Sequence, residues 1–285
     1  MNRHNLRYFL PLVVALPSVV VGTIAMKFHG IPQMIIGQNV AYLIIAWLVT
    51  CVAMSIKHKT NKRNSLIAMM FISLVIYILT YIDGGIGGIH RWISIGPIRL
   101  YVSSILLPIF IVQLWTLFSV KSELLAIVIT IIVSIMLFLQ PDASQLTAFV
   151  VPMIIIIISK VNRSVLRHII TMLLATLVIL SWIFLDSLPA VPYVEEIVKM
   201  VFNMGILWFI LGIASLALLP LPFILLAPKS FKLLSRCVGL YFIIVIISTW
   251  FGNFPVPLMG YGVSPIIGYL AAITWLIKHK ADFQN

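Results

Sequence analysis

Long apolar runs alternate along the chain with short polar or Pro/Gly-containing breaks. A helix needs roughly 20 apolar residues to cross about 30 Å of hydrocarbon, and we count ten such runs. They predict membrane helices over Tyr8–Met26, Gln38–Ile56, Ser65–Ile82, Ser103–Val120, Leu124–Leu139, Leu146–Ile158, His168–Leu185, Ile197–Leu219, Ser235–Phe251 and Ser264–Ile277. The runs are continuously apolar rather than alternating, which favours helices over a transmembrane barrel. The sequence therefore predicts an all-α polytopic bundle of about ten helices.

Composition supports a membrane protein. The 285 residues are 62% hydrophobic and 9% charged, and the mean hydropathy is +1.17. A chain of this composition cannot hide its apolar surface from water by folding alone. The sequence contains no long linker and no soluble segment, so we predict a single integral membrane domain over residues 1–285.

Charge placement predicts the orientation of the bundle. If the N-terminus is cytoplasmic, fifteen of the nineteen Lys and Arg residues fall on the cytoplasmic side, as expected for a multi-pass protein. Both termini are then cytoplasmic, and Lys27, Arg91, Arg99 and Lys199 lie outside. The basic residues are scattered over short loops, so the net charge of +12 indicates membrane topology and not a nucleic-acid partner. The basic, apolar N-terminal segment has no convincing cleavage site and is predicted to be a retained first helix.

The stretch "GGIGGIHRWISIGPIRLYVSS", Gly84–Ser104, places Arg91 against this charge pattern. The planar guanidinium suits a phosphate or carboxylate ligand, and the glycines permit close backbone approach. The alternative is an interfacial hairpin, in which Trp92 anchors at headgroup depth and Arg91 pairs with Asp83 or a lipid phosphate.

Two further stretches carry candidate polar residues. Asp142 follows a proline in "LFLQPDASQL" at the end of the fifth predicted helix. An acid near the membrane needs a partner, so Asp142 is a candidate for pairing with Arg91, or else it caps the sixth helix. The stretch "NFPVPLMGYGVSP" has three prolines and two glycines, and irregular backbone at this depth is tolerated where it is buried or lines a cavity. Tyr261 and Ser264 would supply hydroxyls there, although Ser264 also suits a cap of the last helix.

The segments "GIHRWISIGP", "QPD" and "FPVPLMGYGVS", in this order, resemble the signatures of the SEDS family of shape, elongation, division and sporulation proteins, which includes FtsW, RodA and SpoVE. The resemblance implies a multi-pass protein of the bacterial cytoplasmic membrane that polymerises lipid II, or another undecaprenyl-pyrophosphate-linked precursor, in cell division or shape determination. It also implies a class B penicillin-binding protein as partner. The substrate-binding residues that it implies are Arg91, Trp92, Asp142, Tyr261 and Ser264.

The sequence departs from the family pattern at polar positions. Val194 stands where the family has its catalytic aspartate, and Glu195 and Glu196 follow directly. Either glutamate is a candidate for a displaced general base. The alternative is helix stabilisation, since both acids precede Lys199 at a helix start.

Further departures are Ser104 in place of a glutamate, Val263 in place of a glycine, and Ser144 and Gln145 in place of Gly-Thr. Three hypotheses follow for the function. The chain is a working peptidoglycan glycosyltransferase, or a catalytically silent SEDS-like protein that binds a lipid-linked precursor or a penicillin-binding protein. The third is a transporter or flippase of a lipid precursor, with Gln113 and Asn203 lining its path. The residues indicate no metal site and leave any cofactor open.

Overall fold

The computed structural model describes residues 3–56, 63–120, 122–186, 188–227 and 229–281, with side chains over 8–56, 67–120, 122–186, 188–227 and 229–279. Within these ranges the chain forms twelve α-helices and one two-stranded sheet. The elements are α1 (Arg3–Phe28), α2 (Gln33–Ser55), α3 (Arg63–Ile82), β1 (Trp92–Ile95), β2 (Ile98–Tyr101), α4 (Val102–Ser119), α5 (Glu123–Leu139), α6 (Ala143–Lys160), α7 (Ser164–Ile183), α8 (Ile197–Asn203), α9 (Ile206–Leu218), α10 (Leu221–Leu225), α11 (Lys232–Ser248) and α12 (Val263–Ala281).

The predicted all-α polytopic bundle is confirmed. Among the described residues, six helices are long and apolar enough to cross a membrane, and four shorter apolar helices accompany them. These ten lie on the ten predicted spans. The first helix packs against α2, α9 and α12 as part of the bundle.

One predicted helix is wrong as a continuous element. The span Ile197–Leu219 is divided into α8 and α9, because Gly205 between them has φ +112. This backbone conformation is accessible to glycine and strained for other residues. An apolar run gives no sign of the break, since glycine is common within membrane helices.

The core of the bundle centres on α4, which packs against α6, α11 and α12, and α6 also packs against α11. Of the residues of α4 and α6, 72% and 61% are buried, against 17% in an 18-residue stretch of α2 and of α7. Most residues of α2 and α7 are thus exposed or only partly buried, as expected of helices at the lipid-facing side of a bundle. Helices α4 and α12 approach so closely that a Cβ at Gly268 would overlap the carbonyl of Ser104.

The glycine-rich stretch forms a hairpin, as the alternative interpretation predicted. Strands β1 and β2 are antiparallel, with Trp92 opposite Tyr101 and Ile95 opposite Ile98. The turn between them begins at Gly96, which has φ +58, a conformation typical of tight hairpin turns. Gly96 thus serves to form the hairpin turn. We refer to the end of the bundle that carries this sheet as the hairpin end.

The orientation of the two termini relative to the membrane stays a prediction. Four of the basic residues used for it, Lys57, Lys59, Lys62 and Lys121, lie outside the described residues, as does Asp282. The proposed transport path is not supported by the placement of its two polar residues. Gln113 is buried within α4, whereas Asn203 is exposed at the end of α8.

Candidate functional site

Arg91 is almost fully buried, and two other segments of the chain hold its guanidinium. Its Nε donates to the carbonyl of Gln140 at 2.9 Å, and its Nη2 donates to the carbonyl of Pro141 and to Asp186. The bond to Asp186 is 2.5 Å long, and Oδ2 of Asp142 lies 3.9 Å from Nε. The predicted pairing of Arg91 with Asp142 is therefore confirmed. The partners of the guanidinium are thus carboxylates and carbonyls of the same chain.

Asp142 combines both roles considered for it. Its Oδ1 accepts from the backbone N–H of Gln145 at 3.2 Å, so it caps the N-terminus of α6. Its Oδ2 accepts a hydrogen bond from the hydroxyl of Tyr101, which lies at the end of β2. Asp142 is fully buried, and a buried carboxylate is tolerated when it has such partners. We call Arg91, Tyr101, Asp142 and Asp186 the Arg91 cluster.

Asp83 is not the partner of Arg91. Its side chain accepts from the N–H groups of Gly85 and Ser94, at 3.3 and 2.8 Å, and so holds the start of the hairpin. Hydrogen bonds from Ser94 hold the pKa of Asp83 below its ordinary value, and the positive charge of Arg99 acts in the same direction.

The hairpin also contacts the start of α12. The backbone N–H of Tyr101 donates to Oγ of Ser264 at 2.8 Å, so Ser264 ties β2 to the last helix. Trp92 is partly exposed and its ring lies 6.2 Å from that of Tyr101. Ser264 is therefore a structural link between segments that are far apart in the sequence.

Tyr261 belongs to the same end of the bundle but is not a member of the Arg91 cluster. Its hydroxyl donates to Oε1 of Gln38 at 2.8 Å, and its N–H donates to the carbonyl of Tyr193 at 2.9 Å. The N–H of Val256 donates to the carbonyl of Val194 at 3.1 Å. These bonds join the proline-rich loop before α12 to α2 and to the link between α7 and α8.

Glu195 and Glu196 differ in their surroundings. Glu195 is partly buried, and its Oε2 accepts from the N–H of Val191 at 2.6 Å. Burial raises the pKa of Glu195 to about 7, against the smaller opposing effect of that hydrogen bond. Glu196 instead pairs with the exposed Lys199 at 2.5 Å, one helical turn away. The helix-stabilising interpretation thus fits Glu196, and Glu195 is left as the candidate general base.

Asp186 and Tyr101 are members of the cluster that the sequence did not single out. Asp186 offered a weak signal, an acid in a short link after a membrane helix. Nothing in the sequence indicates which cation it meets. Among the described residues, no group of three or more His, Cys, Asp or Glu side chains is placed to hold a metal ion.

The fold and the buried polar cluster define a multi-pass helical membrane protein with an ordered polar site at one end. No protein-family model matches the sequence, and no curated protein matches it. Solved structures do match. A mutant form of the rod shape determining protein RodA of Thermus thermophilus superimposes with a TM-score of 0.72 at 15% identity, covering 96% of this chain and 97% of RodA.

A second structure of Thermus thermophilus RodA gives a TM-score of 0.69 at 16% identity, covering 96% of both chains. A chain of a peptidoglycan synthase complex, whose structure concerns the coordination of polymerization and crosslinking, gives 0.67 at 15% identity, covering 96% of this chain and 98% of that one. The chain therefore has the fold of RodA, a SEDS protein. The resemblance found in three short motifs is confirmed at the level of the fold.

Proposed function

We propose that this chain is a SEDS-like protein of bacterial peptidoglycan synthesis in the cytoplasmic membrane. It polymerises lipid II, or another undecaprenyl-pyrophosphate-linked precursor, in cell division or shape determination. The observation that carries the proposal is a partly buried carboxylate without an ion-pair partner among the described residues, Glu195, at the hairpin end of a RodA fold. The three SEDS-like stretches meet at that same end.

In this proposal Glu195 is the general base. Its carboxylate takes the proton from the hydroxyl of the acceptor sugar, whose oxygen attacks the anomeric carbon of the lipid-linked chain. The bond from that carbon to the diphosphate oxygen breaks, and the polyprenyl diphosphate leaves with the electron pair. A pKa of about 7 suits this step, because a base works best when its pKa lies near the working pH. Glu196 is the weaker candidate, since its carboxylate pairs with Lys199.

The predicted substrate residues take two roles. Trp92 and Tyr261 are partly exposed and contact the precursor. The buried Arg91, Asp142 and Ser264 hold the hairpin, the start of α6 and the start of α12 together. They are positioning residues for the segments that carry the contacts.

A catalytically silent binder is the second candidate, and one observation favours it. Val194 stands at the position of the family's aspartate, and its carbonyl accepts the N–H of Val256 as part of a structural contact. In this version the chain binds the lipid-linked precursor or a class B penicillin-binding protein without turnover. The likeness to a chain of a peptidoglycan synthase complex supports such a partner.

A polymerisation assay with purified protein and lipid II separates the two candidates. The wild type is expected to form glycan strands, and Glu195→Gln to lower kcat by about 100-fold or more. Glu123→Gln is the matched control, because Glu123 begins α5 at the end away from the hairpin. Glu196→Gln tests the second glutamate in the same assay.

Absence of polymer from the wild type, with lipid II binding or co-purification of a penicillin-binding protein, would establish the silent binder. Absence of polymer, of binding and of co-purification would contradict both candidates.

A further inference from the structure

A pocket of about 390 Å³ lies at the tip of the hairpin, apart from the Arg91 cluster. Its walls include Tyr42 from α2, Gly96, Pro97 and Arg99 from the hairpin, Tyr261 from the loop before α12, and Val263 at the start of α12. Small-molecule sites typically have volumes of roughly 300–1,000 Å³. We call it the hairpin pocket. Glu195 is not among its lining residues.

The charge of Arg99 is available to a ligand. Arg99 is exposed, and within the described part of the chain it is in no ion pair shorter than 4.0 Å. The acid whose pKa it influences, Asp83, has its oxygens bound by Gly85 and Ser94. The fork of N–H groups on a guanidinium matches the oxygens of a phosphate. The guanidinium of Arg99 can therefore bind a phosphate, whereas that of Arg91 is enclosed by its partners within the chain.

The walls of the pocket are held in place before any ligand binds. Tyr261 is fixed by its hydrogen bond to Gln38, and the neighbouring Gly262 N–H donates to Oδ1 of Asn39 at 3.2 Å. Asn39 is fully buried, and its Nδ2 has no partner among the described residues. Asn39 is not itself a lining residue, so it supports the pocket through its hydrogen bond to Gly262, which lines the wall. A preformed site loses little affinity to the ordering of its residues.

The position of the pocket restricts the ligand further. Tyr42 lies about one turn from Ile45 on α2, and Ile45, Leu48 and Val49 are exposed apolar residues of that helix. A ligand with its phosphate in the pocket has lipid-facing surface next to it. This arrangement suits an amphiphile, with a charged head and an apolar chain.

We propose that the hairpin pocket binds the phosphate group of a membrane amphiphile, and that Arg99 is the residue that recognises it. Two sources share this chemistry, the diphosphate of a polyprenyl-linked precursor and the headgroup of an anionic phospholipid. The inference rests on the proposed function only where it names a polyprenyl-linked precursor as the ligand.

The test measures binding of undecaprenyl diphosphate to the full chain in nanodiscs of phosphatidylcholine. Arg99→Gln is expected to weaken this binding by about tenfold or more, as the loss of a charged hydrogen bond predicts. Undecaprenol, which lacks the phosphate, is expected to bind weakly and equally to both forms. Arg99→Lys keeps the charge without the fork and is expected to fall between them.

Arg163→Gln is the matched control, because Arg163 is an exposed arginine at the opposite end of α7 from Asp186. Its binding is expected to equal that of the wild type. Competition with phosphatidylglycerol then separates the two sources. Weak competition identifies the polyprenyl diphosphate, and equal competition identifies the phospholipid headgroup.

The proposal is overturned if Arg99→Gln binds undecaprenyl diphosphate as tightly as the wild type, or if undecaprenol binds as tightly as the diphosphate. These outcomes are independent of turnover. Binding that depends on Arg99, without polymerisation of lipid II, keeps the pocket and removes the proposed enzyme activity. Polymerisation of lipid II, together with undecaprenyl diphosphate binding that does not depend on Arg99, keeps the proposed enzyme activity and removes the hairpin pocket as the phosphate site.

Discussion

Nη2 of Arg91 and Oδ2 of Asp186 lie 2.5 Å apart, although 95 positions separate them in the sequence. The contact joins the hairpin, at the residue before β1, to the link between α7 and α8. Both side chains are nearly buried, at 4% and 9% exposure. A buried charge that loses its partner is far more costly than an exposed one. The pair is therefore a structural requirement of the hairpin end.

We expect Asp186→Asn to lower the free energy of unfolding by about 3 kcal/mol, because it leaves Arg91 buried with one carboxylate fewer. Thermal unfolding in detergent measures the change. Glu123→Gln removes a carboxylate at the end of α5 that lies away from the hairpin. This variant is expected to keep the unfolding midpoint of the wild type. An unchanged midpoint in Asp186→Asn would show that Asp142 and the two carbonyls suffice for the arginine.

Gly268→Ala is expected to separate α4 from α12, since the new methyl group would overlap the backbone carbonyl of Ser104. Backbone cannot move aside as a side chain can, so we expect a loss of about 1–3 kcal/mol. Gly37→Ala in α2 is the control, because nothing lies within 4 Å of its Cβ position. That change is expected to be neutral or stabilising. Equal stability of the two variants would contradict the close helix contact.

Ser264→Ala removes the acceptor of the Tyr101 N–H and is expected to cost about 1–3 kcal/mol. The hydrogen exchange of the Tyr101 amide is expected to become faster. Ser264→Thr retains a hydroxyl and should preserve the protection. If the amide of Tyr101 exchanges at the same rate in the alanine variant and the wild type, the tie between β2 and α12 does not exist in solution.

The proposed base gives a pH dependence of activity. With the pKa of Glu195 at about 7, the fraction in the reactive carboxylate form rises as pH passes through that value. Polymerisation is expected to rise with it, and the rise is expected to vanish in Glu195→Gln. If the polymerisation rate of Glu195→Gln rises with pH as it does in the wild type, the titrating group is not Glu195.

Glu195 also links pH to stability, with a defined sign. Its pKa is about 7 in the folded chain against an ordinary value of 4.5, so the folded protein holds a proton that the unfolded chain releases between these values. The stabilising contribution is present below pH 4.5 and is lost as pH rises through about 7. Midpoints of thermal unfolding across this window should fall more steeply in the wild type than in Glu195→Gln. Parallel curves would contradict the raised pKa.

The sequence predicts the membrane helices well because each is an uninterrupted apolar run, and the bilayer thickness sets the required length. The hairpin is only one of two interpretations that the sequence allows, because strands of four residues leave no clear periodic signal. Hydropathy does not indicate the break at Gly205, because the positive φ of this residue depends on the surrounding packing.

The site is predictable in part. The pairing of Arg91 with Asp142 follows from the need of isolated charges for partners. The roles of Asp186 and Tyr101 do not follow from sequence, because their partners lie 95 and 41 positions away. The two glutamates are equivalent in the sequence, and only the tertiary structure separates Glu195 from the ion-paired Glu196.

The enclosure of Arg91 also bears on the order in which the chain is built. During synthesis Arg91 emerges before Asp142, and Asp142 before Asp186. The second carboxylate partner of the guanidinium is therefore absent until α7 has been made. Until then the carbonyls of Gln140 and Pro141 and the carboxylate of Asp142 are the partners available to Arg91, and its enclosure is completed only afterwards. The complete set of partners of Arg91 therefore cannot form before residue 186 has been made.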